Sequence, residues 1–377
     1  MDLAIYLHFP FCKQKCFYCD FNSYSGRDAL MPEYCEALLT EMARNLPQRH
    51  RIASIYFGGG TPSLFPVELL VRILGVLQTN FQTTSRTEIT IEANPGTLTV
   101  EALLQLKDAG FNRLSLGLQA TQNDLLQNIG RIHRYQEFEN LFYLAREIGF
   151  TNINVDLMFG LPGQTRSAWE ETLARVVALE PHHISAYGLQ LEKDTRLYQK
   201  IVQGELQLPD EEETVAMMRT AMRFLPENHY EHYEISNYAL PGYQSRHNLA
   251  YWQGRDYLGC GAGATSTIYG ERRTNVKDPE EYINRIKNGK TAAATSEAID
   301  HRTAALEALM LGLRMRGGVD LLQFKELWGI DLEAKMGERI GTLIGQDFLK
   351  ITNRHLRLTD AGVMVSNEVI SCLLKDW

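Results

Sequence analysis

The chain has 377 residues, of which 44% are hydrophobic, and a formal net charge of −8 at pH 7, so it is long enough for one large domain and a smaller one. The acidic balance argues against a nucleic-acid partner, because phosphate binding depends on Lys and Arg. The chain shows neither an apolar run of the ~18 residues that a membrane-spanning helix needs nor the basic start of a secretory signal peptide.

The first half of the chain alternates between short apolar runs and helical patterns. Near-continuous apolar runs are typical of parallel strands that are buried on both faces. The predicted strands are residues 3–9, 54–57, 88–93, 113–118, 153–159 and 183–189. Six strand–helix units in succession predict a barrel-like α/β fold, two units short of a closed eight-stranded barrel. A doubly wound open sheet is the alternative, and the hydrophobic periodicity does not distinguish the two.

The helices between these strands have recognisable ends. Cys35 lies on the apolar stripe of the first helix and is expected in the core. Another helix is predicted from Thr99 to a stop at Gly110. Ser167 and Glu170 have the spacing of a capping box, which predicts the start of a later helix.

The pattern changes after about residue 209. A helix that starts near Glu211 carries methionines at helical spacing, and these are expected in the core. An irregular, aromatic-rich region is predicted from 229 to about 269, and a hairpin resembling that of a winged helix from 348 to 358. We therefore expect a barrel over residues 1–210, a connecting helix and aromatic-rich region over 211–294, and a mostly helical C-terminal domain over 295–377.

Cys12, Cys16 and Cys19 are three of only six cysteines in the chain. We call residues 12–19 the cysteine loop. Structural zinc sites and iron–sulfur clusters usually take four protein ligands, so a set of three indicates a cubane cluster with one iron open to a small molecule. The alternatives are a zinc site that borrows a distant ligand and three buried cysteines without metal, although the polar Lys13-Gln14-Lys15 segment argues against burial.

Further candidate residues follow the predicted strands. Gly58-Gly59-Gly60-Thr61-Pro62 comes directly after the second strand, where glycines allow close backbone approach and exposed amides would suit a carboxylate. Glu92, Gln119 and Asp156 lie at or near the ends of the next three strands, and active sites of α/β barrels lie at that rim. The alternatives are a plain strand-to-helix turn and polar groups with structural partners.

The Cys-x3-Cys-x2-Cys spacing, with an aromatic residue before the last cysteine, resembles the signature of the radical S-adenosylmethionine superfamily. In that family the open iron chelates the amino and carboxylate groups of the methionine moiety. The later motifs Gly-Gly-Gly-Thr-Pro, Ile-Glu-Ala-Asn-Pro and Asp-Leu-Met-Phe-Gly-Leu-Pro occur in order. Together they are similar to the oxygen-independent coproporphyrinogen III dehydrogenase branch over nearly the whole chain.

This resemblance implies a partial (β/α)6 TIM-like barrel and a 4Fe–4S cluster held by Cys12, Cys16 and Cys19. It also implies a set of residues that contact S-adenosylmethionine: Tyr6, Gly59, Gly60, Thr61, Glu92, Gln119, Arg131 and Asp156.

The chain departs from the dehydrogenase pattern at Phe21, which occupies the place of a further cysteine. It also carries a His-Asn-x-x-Tyr-Trp motif, which together with Cys19-Asp20-Phe21 resembles the haem-chaperone branch of the family. The candidate haem contacts are His247, Asn248, Tyr251 and Trp252. The alternative is that these side chains pack a domain junction.

The resemblance therefore implies a cytoplasmic haem chaperone with three cofactors: a 4Fe–4S cluster, S-adenosylmethionine and haem. The implied partners are haem and recipient haemoproteins such as respiratory enzymes, so a location at the membrane periphery stays open, as does the oligomeric state. The rival function is enzymatic, the radical oxidative decarboxylation of coproporphyrinogen III. A zinc-stabilised barrel without redox chemistry is the third hypothesis.

Overall fold

The computed structural model describes residues 2–45, 51–375 and 377. Its strands are β1 (Asp2–Phe9), β2 (Phe11–Cys12), β3 (Tyr24–Ser25), β4 (Arg51–Gly59), β5 (Glu88–Ala93), β6 (Arg113–Gln119), β7 (Ile153–Phe159), β8 (His183–Gly188), β9 (Glu231–His232), β10 (Asn237–Ala239), β11 (Tyr257–Cys260), β12 (Thr265–Ile268), β13 (Glu271–Asn275), β14 (Ala293–Ala298), β15 (Val319–Asp320), β16 (Leu349–Thr352) and β17 (His355–Leu358).

Its α-helices are α1 (Met31–Asn45), α2 (Val67–Asn80), α3 (Val100–Ala109), α4 (Asn123–Asn128), α5 (Tyr135–Ile148), α6 (Arg166–Ala178), α7 (Arg196–Val202), α8 (Glu211–Glu227), α9 (Arg246–Trp252), α10 (Pro279–Lys287), α11 (His301–Arg314), α12 (Leu321–Trp328), α13 (Leu332–Gly345), α14 (Asp360–Met364) and α15 (Ser366–Leu374). No helix in this part of the chain is long and apolar enough to cross a membrane.

The six predicted strands form the parallel centre of one large sheet, in the order β1-β4-β5-β6-β7-β8. Because each strand lies beside the one before it, right-handed crossovers place all the connecting helices on the same face. The other face is left to line the interior of a partial barrel. This order confirms the barrel and excludes a doubly wound sheet, whose strand order would reverse.

The sheet extends beyond the predicted strands at both sides. β11 pairs with β1 in parallel, β12 to β14 continue antiparallel from it, and β10 and β9 follow β8. The prediction of an irregular region from 229 to about 269 is therefore wrong. These strands are only two to five residues long, apart from the six-residue β14. They consist largely of polar and small residues, so they lack the long apolar run that identified the other strands.

Two predicted helix boundaries have different outcomes. Thr99 caps α3 by accepting a hydrogen bond from the Ala102 amide, and Gly110 ends it with φ of 109°, so this prediction is confirmed. The capping box at Ser167 is wrong. Thr165 is the N-cap of α6 and accepts from the Ala168 amide, so Ser167 lies inside the helix.

Strand alternation separates the two faces of the barrel. Outward residues such as Leu7, Phe57 and Val155 are fully buried in the main core under the helices, which also includes Cys35 as predicted. The alternate residues of the same strands are largely polar and line the interior of the barrel. The interior therefore carries side chains that can bind a polar ligand. The interior set includes Tyr6, His8, Tyr56, Thr90, Glu92, Arg113, Ser115, Asn154, Asp156 and His183.

The C-terminal part has a second apolar core, formed by residues of α11 to α15 around the small sheet β15-β17-β16. The strands β16 and β17 confirm the predicted hairpin within one residue at each end. On α8, Met217 is fully buried in the main core, and Met222 packs against the second core, so the methionines are core residues as predicted.

Candidate functional site

The cysteine loop lies over the carboxyl ends of the barrel strands and is held there by contacts with other loops. The amide of Phe17 donates to the Ile129 carbonyl at 2.9 Å, and its carbonyl accepts from the Leu197 amide at 2.8 Å. The Phe17 ring lies under the Arg196 guanidinium, 4.4 Å from its centre. It also packs so closely on Gly130 that a Cβ there would be 2.6 Å from the ring. The loop is therefore fixed by its surroundings.

Each cysteine of the loop has a polar neighbour. The Thr61 hydroxyl is 3.5 Å from Cys12 Sγ, Arg131 Nη1 is 3.6 Å from Cys16 Sγ, and the Ser23 hydroxyl is 4.0 Å from Cys19 Sγ. Burial raises the pKa of the Cys12 and Cys19 thiols, which favours the protonated form at neutral pH. A metal that binds these sulfurs would have to displace those protons.

Across the described ranges, no group of three or more His, Cys, Asp or Glu side chains is placed to hold one metal ion. A cubane cluster is a different case, because its cysteines bind separate irons and their sulfurs lie further apart than the ligands of a single ion. The sulfur-only donor set and the arginine beside Cys16 fit an anionic iron–sulfur cluster.

The glycine run connects β4 to the cysteine loop. The Gly60 amide donates to the Phe9 carbonyl and the Thr61 amide to the Phe11 carbonyl, both at 2.8 Å. The Gly59 amide donates to Glu92 Oε2 at 3.0 Å. These three amides are thus bonded within the protein, and the expectation that they are exposed for a carboxylate is wrong. The glycines are needed for close packing, since a Cβ on Gly60 would lie 2.6 Å from the Phe11 carbonyl oxygen.

Glu92 lies inside the rim, where the Tyr56 hydroxyl donates to Oε1 at 2.8 Å. Burial raises the pKa of Glu92 from its ordinary 4.5 to about 7; the Tyr56 hydrogen bond opposes this shift, and the charge of Asp156 adds to it. With a pKa of about 7, the carboxyl group is present in both its neutral and its ionised form near neutral pH. A cationic ligand beside it would favour the ionised form.

Asp156 accepts two hydrogen bonds from neighbouring interior residues. Ser115 donates to Oδ2 and Asn154 to Oδ1, both at 2.9 Å. The chain of bonds continues from Asn154 to His183 and from His183 to Tyr233. Asp156 is thus held in a fixed orientation, with a network behind it that reaches the second half of the chain.

Gln119 and Arg131 supply unpaired polar atoms to the rim. Gln119 is buried in a left-handed conformation, φ 70°, and its Oε1 has no partner. Arg131 donates through Nη2 to Asn94 Oδ1 and to the Gly117 carbonyl, both at 2.6 Å, while its Nε has no partner. A buried acceptor and a buried donor without partners are costly, so the rim fits a polar ligand with both kinds of group, such as S-adenosylmethionine.

Tyr6 is an interior residue of β1. Its hydroxyl bonds His8 Nδ1 at 3.0 Å, and the other nitrogen of His8 bonds the Asn22 carbonyl at 2.8 Å. Burial raises the pKa of Tyr6 far above its ordinary value and lowers that of His8, so both groups are neutral. Tyr6 thereby links the barrel interior to the segment that follows the cysteine loop.

The structure adds Asn94, which sequence reasoning did not single out. Its side chain accepts from Arg131 and donates to the Thr61 hydroxyl at 3.1 Å, so it joins two predicted cofactor residues. The signal was present, since Asn94 belongs to the Ile-Glu-Ala-Asn-Pro motif. Its role depends on the distant Arg131, however, which no local pattern reveals.

The His-Asn-x-x-Tyr-Trp motif lies on α9, at the amino ends of the barrel strands and away from the cysteine loop. His247 is buried, with Nδ1 bonded to the Ser54 hydroxyl at 3.0 Å and Nε2 to the Tyr251 hydroxyl at 3.2 Å. Its amide donates to Glu88 Oε1 at 3.1 Å. Burial lowers the pKa of the ring to about 3, which keeps it neutral.

The other candidate haem contacts lie around this histidine. Tyr251 packs edge-on against both His247 and Tyr257. Asn248 is half-buried in the first turn of α9, and the indole nitrogen of Trp252 is buried without a partner. In this arrangement α9 closes the lower end of the barrel, and a haem ligand at His247 would require one of its two ring hydrogen bonds to break.

Two regions of the chain match the models of known protein families. Residues 6–176 match the family model of the Radical SAM superfamily, and residues 299–365 match that of the HemN C-terminal domain. These matches cover most of the barrel, with its cysteine loop, and most of the C-terminal unit.

Among curated proteins, the chain is 36% identical to "Heme chaperone HemW" of Bacillus subtilis over 374 residues, 98% of this chain and 99% of that protein. It is 34% identical to "Heme chaperone HemW" of Lactococcus lactis over 373 residues, 99% of this chain and 97% of that protein. Among solved structures, coproporphyrinogen III oxidase (HemN) from Escherichia coli has a TM-score of 0.85 at 24% identity, covering 98% of this chain and 89% of that one, which shows a shared fold.

Proposed function

We propose a haem-carrying function on the premise that this chain belongs to the HemW family of haem chaperones, within the radical S-adenosylmethionine superfamily. The chain binds haem and transfers it to recipient haemoproteins. The observation that carries this proposal is the 36% identity to a haem chaperone over 98% of this chain and 99% of that protein. Likeness to the coproporphyrinogen oxidase concerns the fold alone.

The superfamily assigns the chain a 4Fe–4S cluster and S-adenosylmethionine. We infer that Cys12, Cys16 and Cys19 hold the cluster. Three protein ligands leave one iron open to the methionine end of S-adenosylmethionine. When bound, the cluster would supply one-electron chemistry. Their position on a loop fixed over the barrel rim, with a cation beside Cys16, supports this assignment.

The residues proposed to contact S-adenosylmethionine contribute different groups. Arg131 and Gln119 each have a polar atom without a partner, which can hydrogen-bond the ligand. Glu92 and Asp156 have carboxyl groups that can interact with the positively charged groups of S-adenosylmethionine. The remaining residues act through shape, because the glycine run brings its backbone close to the cysteine loop. They are Tyr6, Gly59, Gly60 and Thr61.

For haem, the side chain that distinguishes this chain from the dehydrogenase pattern offers a specific contact. Phe21 is 64% exposed, directly after the cysteine loop, where a flat apolar ring can pack against a porphyrin face. We propose that haem binds at Phe21, beside the cysteine loop. We also propose that recipients such as respiratory enzymes receive the haem in the cytoplasm, at the periphery of the membrane.

The test is an anaerobic titration of the cluster-reconstituted protein with haem, followed at the Soret band. We expect saturable binding, and Phe21→Ala should weaken it without loss of stability. Tyr143→Ala is the matched control, because Tyr143 is an aromatic residue of α5 that is 53% exposed elsewhere on the surface. Absence of saturable binding to the wild-type protein would reject the chaperone function.

Two further measurements separate the alternatives. Conversion of coproporphyrinogen III to protoporphyrinogen by the reduced protein with S-adenosylmethionine would support the enzymatic rival. The titration with His247→Ala tests the predicted haem role of α9: loss of the Soret shift in a folded variant supports it, and unchanged binding assigns His247 to the closure of the barrel.

A further inference from the structure

A line of hydrogen-bonded side chains ends on Asp156 in the barrel interior. Asn154 and His183 are buried, with 2% and 0% of their surface exposed, whereas Asp156 is half-buried. Strand alternation directs all three side chains to the interior. Asp156 is therefore the one of these three that a ligand inside the barrel can reach.

The direction of each hydrogen bond in this line follows from its partners. Asn154 Nδ2 donates to Asp156 Oδ1 at 2.9 Å and to Ser115 Oγ at 2.7 Å. The amide oxygen of Asn154 therefore faces His183, whose Nδ1 lies 2.6 Å away. Because an amide oxygen only accepts, Nδ1 of His183 carries a proton and is the donor.

The second ring nitrogen of His183 completes this pattern. Burial lowers the pKa of His183 well below its ordinary value, so the ring is neutral. A neutral ring that is protonated at Nδ1 accepts at Nε2, and the Tyr233 hydroxyl is the donor at 2.8 Å. The same hydroxyl accepts from the Ser245 amide at 3.4 Å. Tyr233 thus selects the tautomer of His183 that donates to Asn154.

The donors of this network point towards Asp156. Its Oδ1 accepts from Asn154 and its Oδ2 from the Ser115 hydroxyl, both at 2.9 Å. An ionised carboxylate has about four lone-pair sites, so each oxygen can still accept from a ligand. Asp156 therefore offers a negative charge in one fixed orientation.

We propose that His183 is a positioning residue for the binding of S-adenosylmethionine. Through Asn154 it holds the Asp156 carboxylate in the orientation that meets the ligand, and Tyr233 maintains the tautomer that this requires. A fixed carboxylate favours S-adenosylmethionine, which carries a sulfonium, over S-adenosylhomocysteine, which lacks the methyl group and has an uncharged sulfur. The inference rests on the cofactor assignment of the proposed function and does not depend on haem.

The experiment measures binding of both ligands to the oxidised, cluster-reconstituted protein by equilibrium dialysis. His183→Leu should weaken S-adenosylmethionine about 3- to 10-fold and S-adenosylhomocysteine by less than about 2-fold. His183→Asn, whose amide can replace the donor at Nδ1, should be closer to wild type. In the Asp156→Asn background, His183→Leu should have no further effect on either ligand, because His183 acts through Asp156.

Tyr233→Phe makes the same test with a smaller change, since it removes one hydroxyl from the network. We expect binding of S-adenosylmethionine to weaken about 2- to 5-fold, with little change for S-adenosylhomocysteine. Tyr230→Phe is the matched control, because Tyr230 is also buried and donates to the Pro181 carbonyl at 2.7 Å, outside the network. It should lose similar stability in urea denaturation and leave the preference between the two ligands unchanged.

The proposal is overturned if Tyr233→Phe and His183→Leu bind S-adenosylmethionine as wild type does, or if they weaken both ligands equally. It is also overturned if His183→Leu keeps its effect in the Asp156→Asn background. Wild-type protein that binds neither ligand would reject the cofactor assignment and this inference with it. A failure of the proposal alone is distinguishable, because wild-type binding of S-adenosylmethionine then persists, and haem titration is independent of all these results.

Discussion

Arg131 and Cys16 are in direct contact, with 3.6 Å between Nη1 and Sγ. The same guanidinium donates through Nη2 to Asn94 and to the Gly117 carbonyl, so one half-buried side chain joins the cysteine loop to β6 and to the residue that follows β5. Gly117 makes this possible, because a Cβ there would lie 3.1 Å from Arg131 Nη2.

Arg131→Lys keeps the positive charge but cannot reach these partners with a single nitrogen. Since hydrogen bonds to a charged group contribute about 1.5–3 kcal/mol, we expect roughly 10- to 100-fold weaker binding of S-adenosylmethionine and a lower iron content per chain. Dialysis and iron analysis measure both. Arg175→Lys on α6, whose partner Glu171 is on the surface, is the control. Unaltered binding in Arg131→Lys would remove Arg131 from the site.

Gly60→Ala should disrupt the cysteine loop. Its Cβ would lie 2.6 and 2.8 Å from the carbonyl oxygens of Phe11 and Phe9, and backbone atoms of a buried segment have no room to retreat. We expect a loss of about 1–3 kcal/mol in the free energy of unfolding, measured by urea denaturation, and reduced iron content.

Gly75→Ala is the matched control for that substitution. Gly75 lies within α2 and has nothing within 4 Å of its ideal Cβ position. Because alanine is the better helix former, this variant should gain about 0.5–1 kcal/mol and keep its iron. Equal stability of the two variants would contradict the role assigned to Gly60.

The raised pKa of Glu92 predicts a pH-dependent stability. Its folded-state pKa of about 7 exceeds the ordinary 4.5, so the folded chain binds the proton more tightly than the unfolded chain. The stabilisation is complete below pH 4.5 and is lost as the pH rises through 7, by about 3 kcal/mol in total. Urea denaturation from pH 5 to 8 should show this decline relative to Glu92→Gln; parallel curves for the two proteins would contradict it.

His247→Ala should destabilise the barrel. The substitution leaves the buried Ser54 and Tyr251 hydroxyls without their partner and opens a cavity under α9. We expect a loss of about 2–4 kcal/mol in the free energy of unfolding. His301→Ala, at an exposed position of α11, should change it by less than about 0.5 kcal/mol. A His247→Ala variant as stable as wild type would show that these hydrogen bonds contribute little.

The sequence pattern correctly predicted those parts of the fold that are determined by residues close together in the chain. The long apolar runs identified all six central strands, and Thr99 and Gly110 identified both ends of α3, because a cap is decided within one turn. The capping box predicted at Ser167 was wrong because Thr165, two residues earlier, is an equally good N-cap. The short strand β11 was missed, since its pairing with β1 is a tertiary contact.

The same limit applies to the site. Cysteine spacing and strand ends indicated which residues gather at the rim, but the partners of each polar group come from distant segments. His247 illustrates this, because its ring is bonded to Ser54, 193 residues earlier in the chain. The amides of the glycine run illustrate it too, since the acceptors that occupy them follow from tertiary packing.

The contacts that hold the cysteine loop and the residues just after it come from distant parts of the sequence. Phe17 is bonded to Ile129 and Leu197, and Asn22 donates to the carbonyls of Ala262 and Lys277 at 3.0 Å. The relative positions of the three thiols therefore depend on segments that supply no cysteine to the loop. A substitution near Ala262 or Lys277 that frees Asn22 should thus loosen the loop, although these residues lie 240 and 255 positions after Asn22 in the sequence.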